Sequence, residues 1–213
     1  MLKPYCALAG ALSLVALPSA VLAQTTVNSS RAGWANQAGT VSSRNENSNS
    51  FTGVNGSGEH RSYISFAVPA STSAFTSAVI RVNAESVYSG PNDLTVYDVS
   101  SDIATATVTD LYADFGSGAV FGTITGLISG ATGDITLNAD GLAAVNAARG
   151  GEISFGFVSS PTTTSPDGVF GASTGSTQRQ LILSPTANTA PPSTIPTMSE
   201  WAMILFGLSL AGG

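Results

Sequence analysis

The sequence has little charge, one cysteine and one histidine, and each shortage excludes a class of function. Only 9% of its 213 residues are charged, whereas soluble proteins average about 25%. Seven basic against 13 acidic residues give a net charge of -6, which repels a phosphate backbone, so nucleic acid is not a predicted partner. The cysteine, Cys6, lies in a segment that we expect to be removed, which leaves no disulfide and no thiol chemistry.

The shortage of histidine also limits catalytic and metal chemistry. A Ser-His-Asp triad would have to use His60, which has no G-x-S-x-G motif to accompany it, and we predict this histidine on the surface. Zinc needs three or four N, S or O ligands and is not expected. We therefore predict no catalytic residue, metal ligand or cofactor, and leave open one alternative, a structural calcium held by aspartates among Asp93, Asp98, Asp102, Asp110 and Asp114.

Residues 1–23 have the three parts of a Sec-type signal peptide. Lys3 gives a positive start, an apolar run extends from Ala7 to Leu17, and small residues precede the end of the segment at Ala23. Roughly 11 apolar residues are too few to cross a ~30 Å hydrocarbon layer as a helix. We predict that signal peptidase cleaves between Ala23 and Gln24 and that the remainder is exported.

Residues 24–185 have the pattern of one all-β domain. Alternation of apolar and polar residues predicts strands beginning at Arg61 and spanning 78–84 and 152–158, and Gly156 is expected where a side chain would crowd a neighbour. The polar stretch 24–58 predicts one or two short strands with long loops and a turn at 55–58. Other strands are expected at 94–99, 119–124, 134–138, 169–172 and 180–183.

One short helix interrupts the predicted strands. Asn138 or Asp140 can cap its start, Leu142 and Val145 share a face, and glycines 150 and 151 can end it. Residues 102–118 lack strict alternation and are expected to cross the end of the sheets without a strand. About eight or nine strands and one helix favour an antiparallel, jelly-roll-like β-sandwich.

The C-terminal part changes in composition twice. Residues 186–194 are rich in Pro and Thr and predict an extended linker. Residues 195–213 then combine a Pro-containing polar lead, an acidic residue beside an aromatic one, and an apolar run that predicts a helix. This segment resembles the IPTL-CTERM sorting signal of Gram-negative bacteria, with these matching residues: Ile195, Pro196, Thr197, Ser199, Glu200 and Trp201, and with Met198 in place of the usual Leu.

The resemblance implies a route and a partner. An exosortase-type membrane peptidase would recognise and cleave the signal while it anchors the chain transiently in the inner membrane, before release to the cell surface or the extracellular space. Only 12 residues follow Trp201, and none of them is Arg or Lys, although a membrane span needs about 20 residues. We therefore expect either that the sorting signal is cut short in this sequence, which we favour, or that this copy has lost its anchor and is simply secreted.

The body of the chain carries a second resemblance. The phrases RSYISFAVP, SAVIRVNA, LTVYDVS, YADFGSGAVFG, LNADGLAAVNAARGGEISFGF and LILSP, in this order between Arg61 and Pro185, are similar to the DNRLRE-type sandwich domains of secreted bacterial proteins. The resemblance implies a stalk, matrix or surface-structural role and no catalytic residues.

These features together predict an exported structural protein of the cell surface or extracellular matrix that is not an enzyme. The first alternative is a carbohydrate-binding module acting in adhesion, with extracellular polysaccharide as its partner, and the second is a polysaccharide-active enzyme. Stacking on sugar rings would need exposed aromatic side chains, for which the candidates are Trp34, Tyr63, Tyr88, Tyr97 and Tyr112.

Overall fold

The computed structural model describes residues 23–87, 91–160, 166–170 and 178–186. Ten strands and two helices lie in these ranges. The strands are β1 (Thr25–Asn36), β2 (Ser50–Asn55), β3 (Gly58–Ala67), β4 (Phe75–Val87), β5 (Asn92–Asp98), β6 (Val120–Leu127), β7 (Thr132–Thr136), β8 (Glu152–Ser160), β9 (Pro166–Phe170) and β10 (Arg179–Pro185). The helices are α1 (Val108–Asp114) and α2 (Ala139–Ala147).

Antiparallel pairing joins the strands into a nearly closed, barrel-like sheet. The first strand has two partners, because residues 25–28 pair with β10 and residues 29–36 pair with β3. From β10 the sheet continues through β4, β9 and β2 to β3, and from β3 through β8 and β5 to β6, while β7 pairs with β4. The predicted β-rich class is therefore confirmed, with one helix more than expected.

The main hydrophobic core lies on the inner face of this sheet. The alternation predicted for β4 is confirmed, since the side chains of Ala78, Ile80, Val82 and Ala84 are fully buried. They pack with apolar residues of β3, β5, β8 and β10, including Ile64, Phe66, Leu94, Val96, Phe155, Phe157, Leu181 and Leu183. Burial of each such side chain stabilises the fold by about 1.5–3 kcal/mol.

Helix α2 closes one side of the core as the sequence predicts. Asn138 is the N-cap, because its side-chain oxygen accepts a hydrogen bond from the backbone N–H of Gly141 at 2.9 Å. Val145 is fully buried in the core. The chain leaves the helix through Gly150, whose φ of +80° belongs to the left-handed region that glycine tolerates.

A second hydrophobic cluster lies on the opposite face of β3, where the sequence predicts exposure. Its buried members are Ala35, Tyr63, Ile103, Leu111 and Phe115. Both faces of β3 are therefore buried, and the prediction of a half-buried strand is wrong for this strand. The cover is supplied by α1 and the turn before it, within the stretch that was expected to have no regular structure.

Helix α1 forms because its start is capped and its apolar residues are four apart. Thr107 is the N-cap, and its hydroxyl accepts a hydrogen bond from the N–H of Asp110 at 3.2 Å and donates one to the Asp110 carboxylate at 2.7 Å. Leu111 and Phe115 both point into the second cluster. The close seating of this helix on β8 is possible because Gly156 has no side chain there.

The N-terminal region also differs from expectation. The first strand is 12 residues long, where only short strands were predicted, and the loop after it returns to pair once more with the strand through Asn47 and Ala32. The turn at 55–58 is confirmed as the β2–β3 hairpin, in which the Asn55 side chain accepts a hydrogen bond from the N–H of Ser57 at 2.7 Å.

Candidate functional site

The residues of the predicted signal-peptidase site lie at the start of the first strand. Ala23 and Gln24 are exposed, and the side chain of Gln24 donates a hydrogen bond to the Ser184 hydroxyl at 3.3 Å. The sorting-motif residues 195–201, the linker after residue 186 and the C-terminal apolar helix lie outside the described residues. Of the helices that the structure describes, none combines the length and the apolar composition needed to cross a membrane.

His60 is buried, and the prediction of a surface histidine is wrong. Its side chain is 3% exposed and lies between two aromatic rings, with centroid distances of 4.8 Å to Trp34 and 4.7 Å to Phe51. Its Nδ1 lies 3.0 Å from the carbonyl oxygen of Gly58, and its Nε2 lies 3.5 Å from the side-chain amide nitrogen of Asn36. Both ring nitrogens therefore have a polar neighbour inside the domain.

This environment is expected to make the free energy of unfolding depend on pH through His60. Burial lowers the pKa of His60 from 6.5, and hydrogen bonds to the carbonyls of Gly58 and Gly53 offset part of that effect. As the pH falls, the unfolded chain therefore binds the proton first. The free energy of unfolding should be highest above pH 6.5 and should decrease as the pH falls from 6.5 to the lowered pKa of the folded state.

Replacement of His60 by glutamine tests this expectation. We expect the wild-type chain to lose stability to urea between pH 7.5 and pH 5.5, and the His60→Gln variant to lose less. Carboxylates titrate mainly below this range, with usual pKa values of about 4. Equal pH dependence in the two proteins would show that protonation of His60 is not opposed by the fold.

The candidate sugar-stacking residues are dispersed among different roles. Tyr63 is fully buried, and its hydroxyl donates to the carbonyl of Ser43 at 3.0 Å. Burial raises its pKa to about 12. Trp34 is half-buried, and its indole N–H donates to the Asn49 side chain at 3.2 Å. Tyr97 is half-buried on β5, and Tyr88 lies outside the described residues. Because it is buried, Tyr63 cannot stack on a sugar ring.

Tyr112 takes part in a group of contacts that attaches α1 to strand β3. Its hydroxyl donates to Glu59 at 2.8 Å, and the guanidinium of Arg61 stacks 4.3 Å from its ring centroid. Arg61 also donates to Glu59 at 3.0 Å and to the carbonyl of Tyr112 at 3.1 Å, near the end of the helix. The cation lies where the helix dipole is negative, which favours this attachment.

A second arginine holds the long loop between β1 and β2. Arg44 donates from Nη1 to the carbonyls of Ile103 and Ala106, both at 2.8 Å. Arg31 donates to the carbonyl of Arg44 at 3.2 Å and forms an ion pair with Glu152. The outer face of the sheet is therefore a layer in which arginines bind backbone carbonyls of loop and helix, a pattern that sequence periodicity does not reveal.

The aspartates proposed as calcium ligands serve separate turns. Asp114 accepts from the backbone N–H groups of Ser100 and Ser101, and Asp93 accepts from that of Gly126. Asp102 accepts from Thr105 and Ala104, and these hydrogen bonds lower its pKa. Asp110 caps α1. In the described part of the chain, no three His, Cys, Asp or Glu residues are grouped so that they could hold a metal ion.

Comparisons with known proteins add no family to these observations. No model of a protein family matches the chain. No curated protein matches it closely enough to count as a relative. The two resemblances carried by the sequence motifs therefore stay predictions.

Proposed function

We propose that this chain is the precursor of a structural protein of the cell surface or extracellular matrix, with no catalysis of its own. Signal peptidase removes residues 1–23, and an exosortase-type membrane peptidase recognises the sorting motif at 195–201 and cleaves the chain from its transient inner-membrane anchor. The β-rich body, which we assign to the DNRLRE-type jelly-roll sandwiches, is the part that is delivered.

The observation that best supports this proposal is the pairing of the first and last strands. Thr25 is paired with Leu183, and Asn28 with Gln180, so the chain enters and leaves the domain side by side. The proposed signal-peptidase site lies one residue before the start of β1, and Thr186 directly follows the end of β10. Cleavage before Gln24 and anywhere after Thr186 therefore leaves every described strand in the sheet.

The layered outer face also fits a structural role. Loops that carry binding or catalysis commonly expose polar side chains above a rigid scaffold. Here arginines instead attach the β1–β2 loop and α1 to the domain: Arg44 of the loop binds the carbonyls of Ile103 and Ala106 before α1, and Arg61 of β3 binds the carbonyl of Tyr112 in α1. This use of polar groups strengthens the domain and favours a matrix module over a ligand-binding one.

Deletion of residues 195–213 tests the sorting step. In a host with an exosortase-type peptidase, we expect the intact chain to be processed to a mass without residues 1–23 and without its C-terminal segment, and to be found at the cell surface. The deletion variant should lose only residues 1–23 and should be found in the periplasm or medium. Cell fractionation and intact-mass spectrometry measure both.

Two point variants test whether the peptidase recognises the motif itself, since neither changes the length of the C-terminal segment. Pro196→Ala alters the motif and should slow processing, whereas Thr194→Ala lies just outside it and should be processed like the wild type. The sorting proposal is wrong if the deletion variant keeps the location and C-terminal mass of the wild type, or if processing is the same in a host without the peptidase.

A further inference from the structure

Strand β6 is an edge strand with an unusual surface. It pairs with β5, and among the described strands none pairs with its other edge. Val120 is 45% exposed and Ile128 is 54% exposed, and these are the two large hydrophobic side chains that the described surface exposes. Val120 is the first residue of β6 and Ile128 directly follows its last residue, so the two exposed apolar side chains flank one edge strand.

This edge lacks the residues that usually prevent pairing between molecules. Natural edge strands commonly carry Lys, another charge or Pro, because unpaired backbone groups otherwise bind a second strand. From Val120 to Gly133 the sequence has no charged residue and no proline. The other edge strand of the sheet, β7, carries Asp134, which is exposed and paired with Arg81. Of these two edge strands, only β6 therefore lacks a charged residue or a proline that would hinder pairing with another molecule.

The sequence of β6 reads almost the same in both directions. Residues 120–128 are VFGTITGLI, so residues at equal distances from Ile124 are identical or similar in kind. In an antiparallel pair of two such strands centred on Ile124, each side chain faces its like in the other copy: Thr123 faces Thr125, Gly122 faces Gly126, Phe121 faces Leu127, and Val120 faces Ile128.

We propose that β6 is a self-association edge, at which two copies of this chain pair antiparallel about a two-fold axis through Ile124. A closed two-fold contact uses the same surface on both copies, so it requires a self-complementary strand. The palindromic sequence meets this requirement, and the exposed apolar side chains of Val120 and Ile128 flank the paired segment of each copy. Two chains that each carry a net charge of -6 approach most easily at an uncharged edge.

The local geometry limits how much of the strand takes part. The β5–β6 register shifts near both ends of the strand, and the backbone and side-chain N–H groups of Asn138 already bind the carbonyls of Phe121 and Val120 at 2.8 and 2.7 Å. Gly126 has a φ of +70°, outside the range of a strand, so pairing is confined to about three residues centred on Ile124 in each copy, the lower end of the usual strand length. Such a contact is weak and reversible, and it becomes important where copies are crowded. The inference does not depend on the route by which the chain is delivered.

Charge substitutions at the two threonines beside the axis test both the contact and its register. By sedimentation velocity, we expect the average mass of the purified wild-type chain to rise with concentration toward that of a dimer. Thr123→Lys with Thr125→Lys places like charges opposite each other and should weaken dimerisation at least 10-fold. Thr123→Lys with Thr125→Glu places Lys opposite Glu in the centred register and should restore it. The control Thr132→Lys, at an exposed position of β7, should change nothing.

Disulfide cross-linking between engineered cysteines provides a second test, which can detect the contact even when dimerisation is weak. Chains with Thr123→Cys and chains with Thr125→Cys, distinguished by mass, should cross-link to each other under mild oxidation faster than either does to itself. Equal rates of cross-linking, or a wild-type chain that stays monomeric up to about 1 mM, at which binding free energy is only about -4 kcal/mol, would overturn the proposal. Circular dichroism of each variant establishes that it is folded before either measurement is read.

Discussion

Replacing Gly156 with alanine is expected to lower the free energy of unfolding by about 3 kcal/mol, at the upper end of the usual range for overpacking. A Cβ atom at this position would lie 2.4 Å from the carbonyl oxygen and 2.6 Å from the Cα of Phe115. These are backbone atoms at the end of α1 and cannot rotate away as a side chain could. The substitution must therefore displace the helix from the sheet.

Thermal unfolding followed by circular dichroism checks this effect, with an expected decrease in Tm of about 6–12 °C for a domain of this size. Gly151→Ala is the matched control, because it lies just before the same strand and its Cβ would approach no described atom closer than 3.4 Å. A Gly156→Ala variant as stable as this control would mean that α1 is not seated against β8 as described.

Replacing Arg179 with alanine is expected to cost about 4 kcal/mol, because the change combines a cavity with the loss of hydrogen bonds from a charged group. Arg179 is fully buried. Its guanidinium donates to the carbonyl of Ser48 at 2.9 Å and to the hydroxyls of Ser29 and Ser50 at 3.4 and 3.3 Å. Burial lowers its pKa to about 10, so the group remains charged at neutral pH.

Arg81→Ala is the matched control for this prediction. Arg81 lies opposite Gln180 on the neighbouring strand and forms an exposed ion pair with Asp134 at 2.7 Å. Exposed ion pairs contribute little to stability, because solvent screens the charges, so urea unfolding should separate the two variants clearly. Similar urea midpoints for the two variants would show that the buried Arg179 contributes no more to stability than the surface Arg81.

The strands that the sequence predicts best are those with one buried face. In β4, apolar residues alternate with polar ones because alternate side chains point into one core, and the core-facing residues of β8 keep the same spacing although α1 covers its other face at Gly156. The crowding expected at Gly156 was also predicted correctly, since a glycine inside an otherwise regular strand indicates a close neighbour. In β1, by contrast, polar residues dominate because its side chains bind a loop, and alternation carries little information.

Helix α1 was missed because its pattern is short and its partner is distant in sequence. It buries only Leu111 in its seven residues, which is too little for a recognisable apolar face. A usable indication was present in Thr107 and Asp110, whose three-residue spacing is typical of a capped helix start. The burial of His60 depends on rings from two other strands, Trp34 and Phe51, which meet it only through strand pairing, and no local pattern reports such contacts.

The place of β10 in the sheet determines when the domain can fold. Of the described strands it is the last to be synthesised, yet it lies between β1 and β4 and pairs with both. Until Pro185 has been made and released, β1 and β4 lack a shared neighbour and the core lacks Leu181 and Leu183. Long-range pairing of this kind is slow to form. The sheet can therefore be completed only when nearly the whole of residues 25–185 is available, and we expect a chain that ends before β10 to lack a closed core.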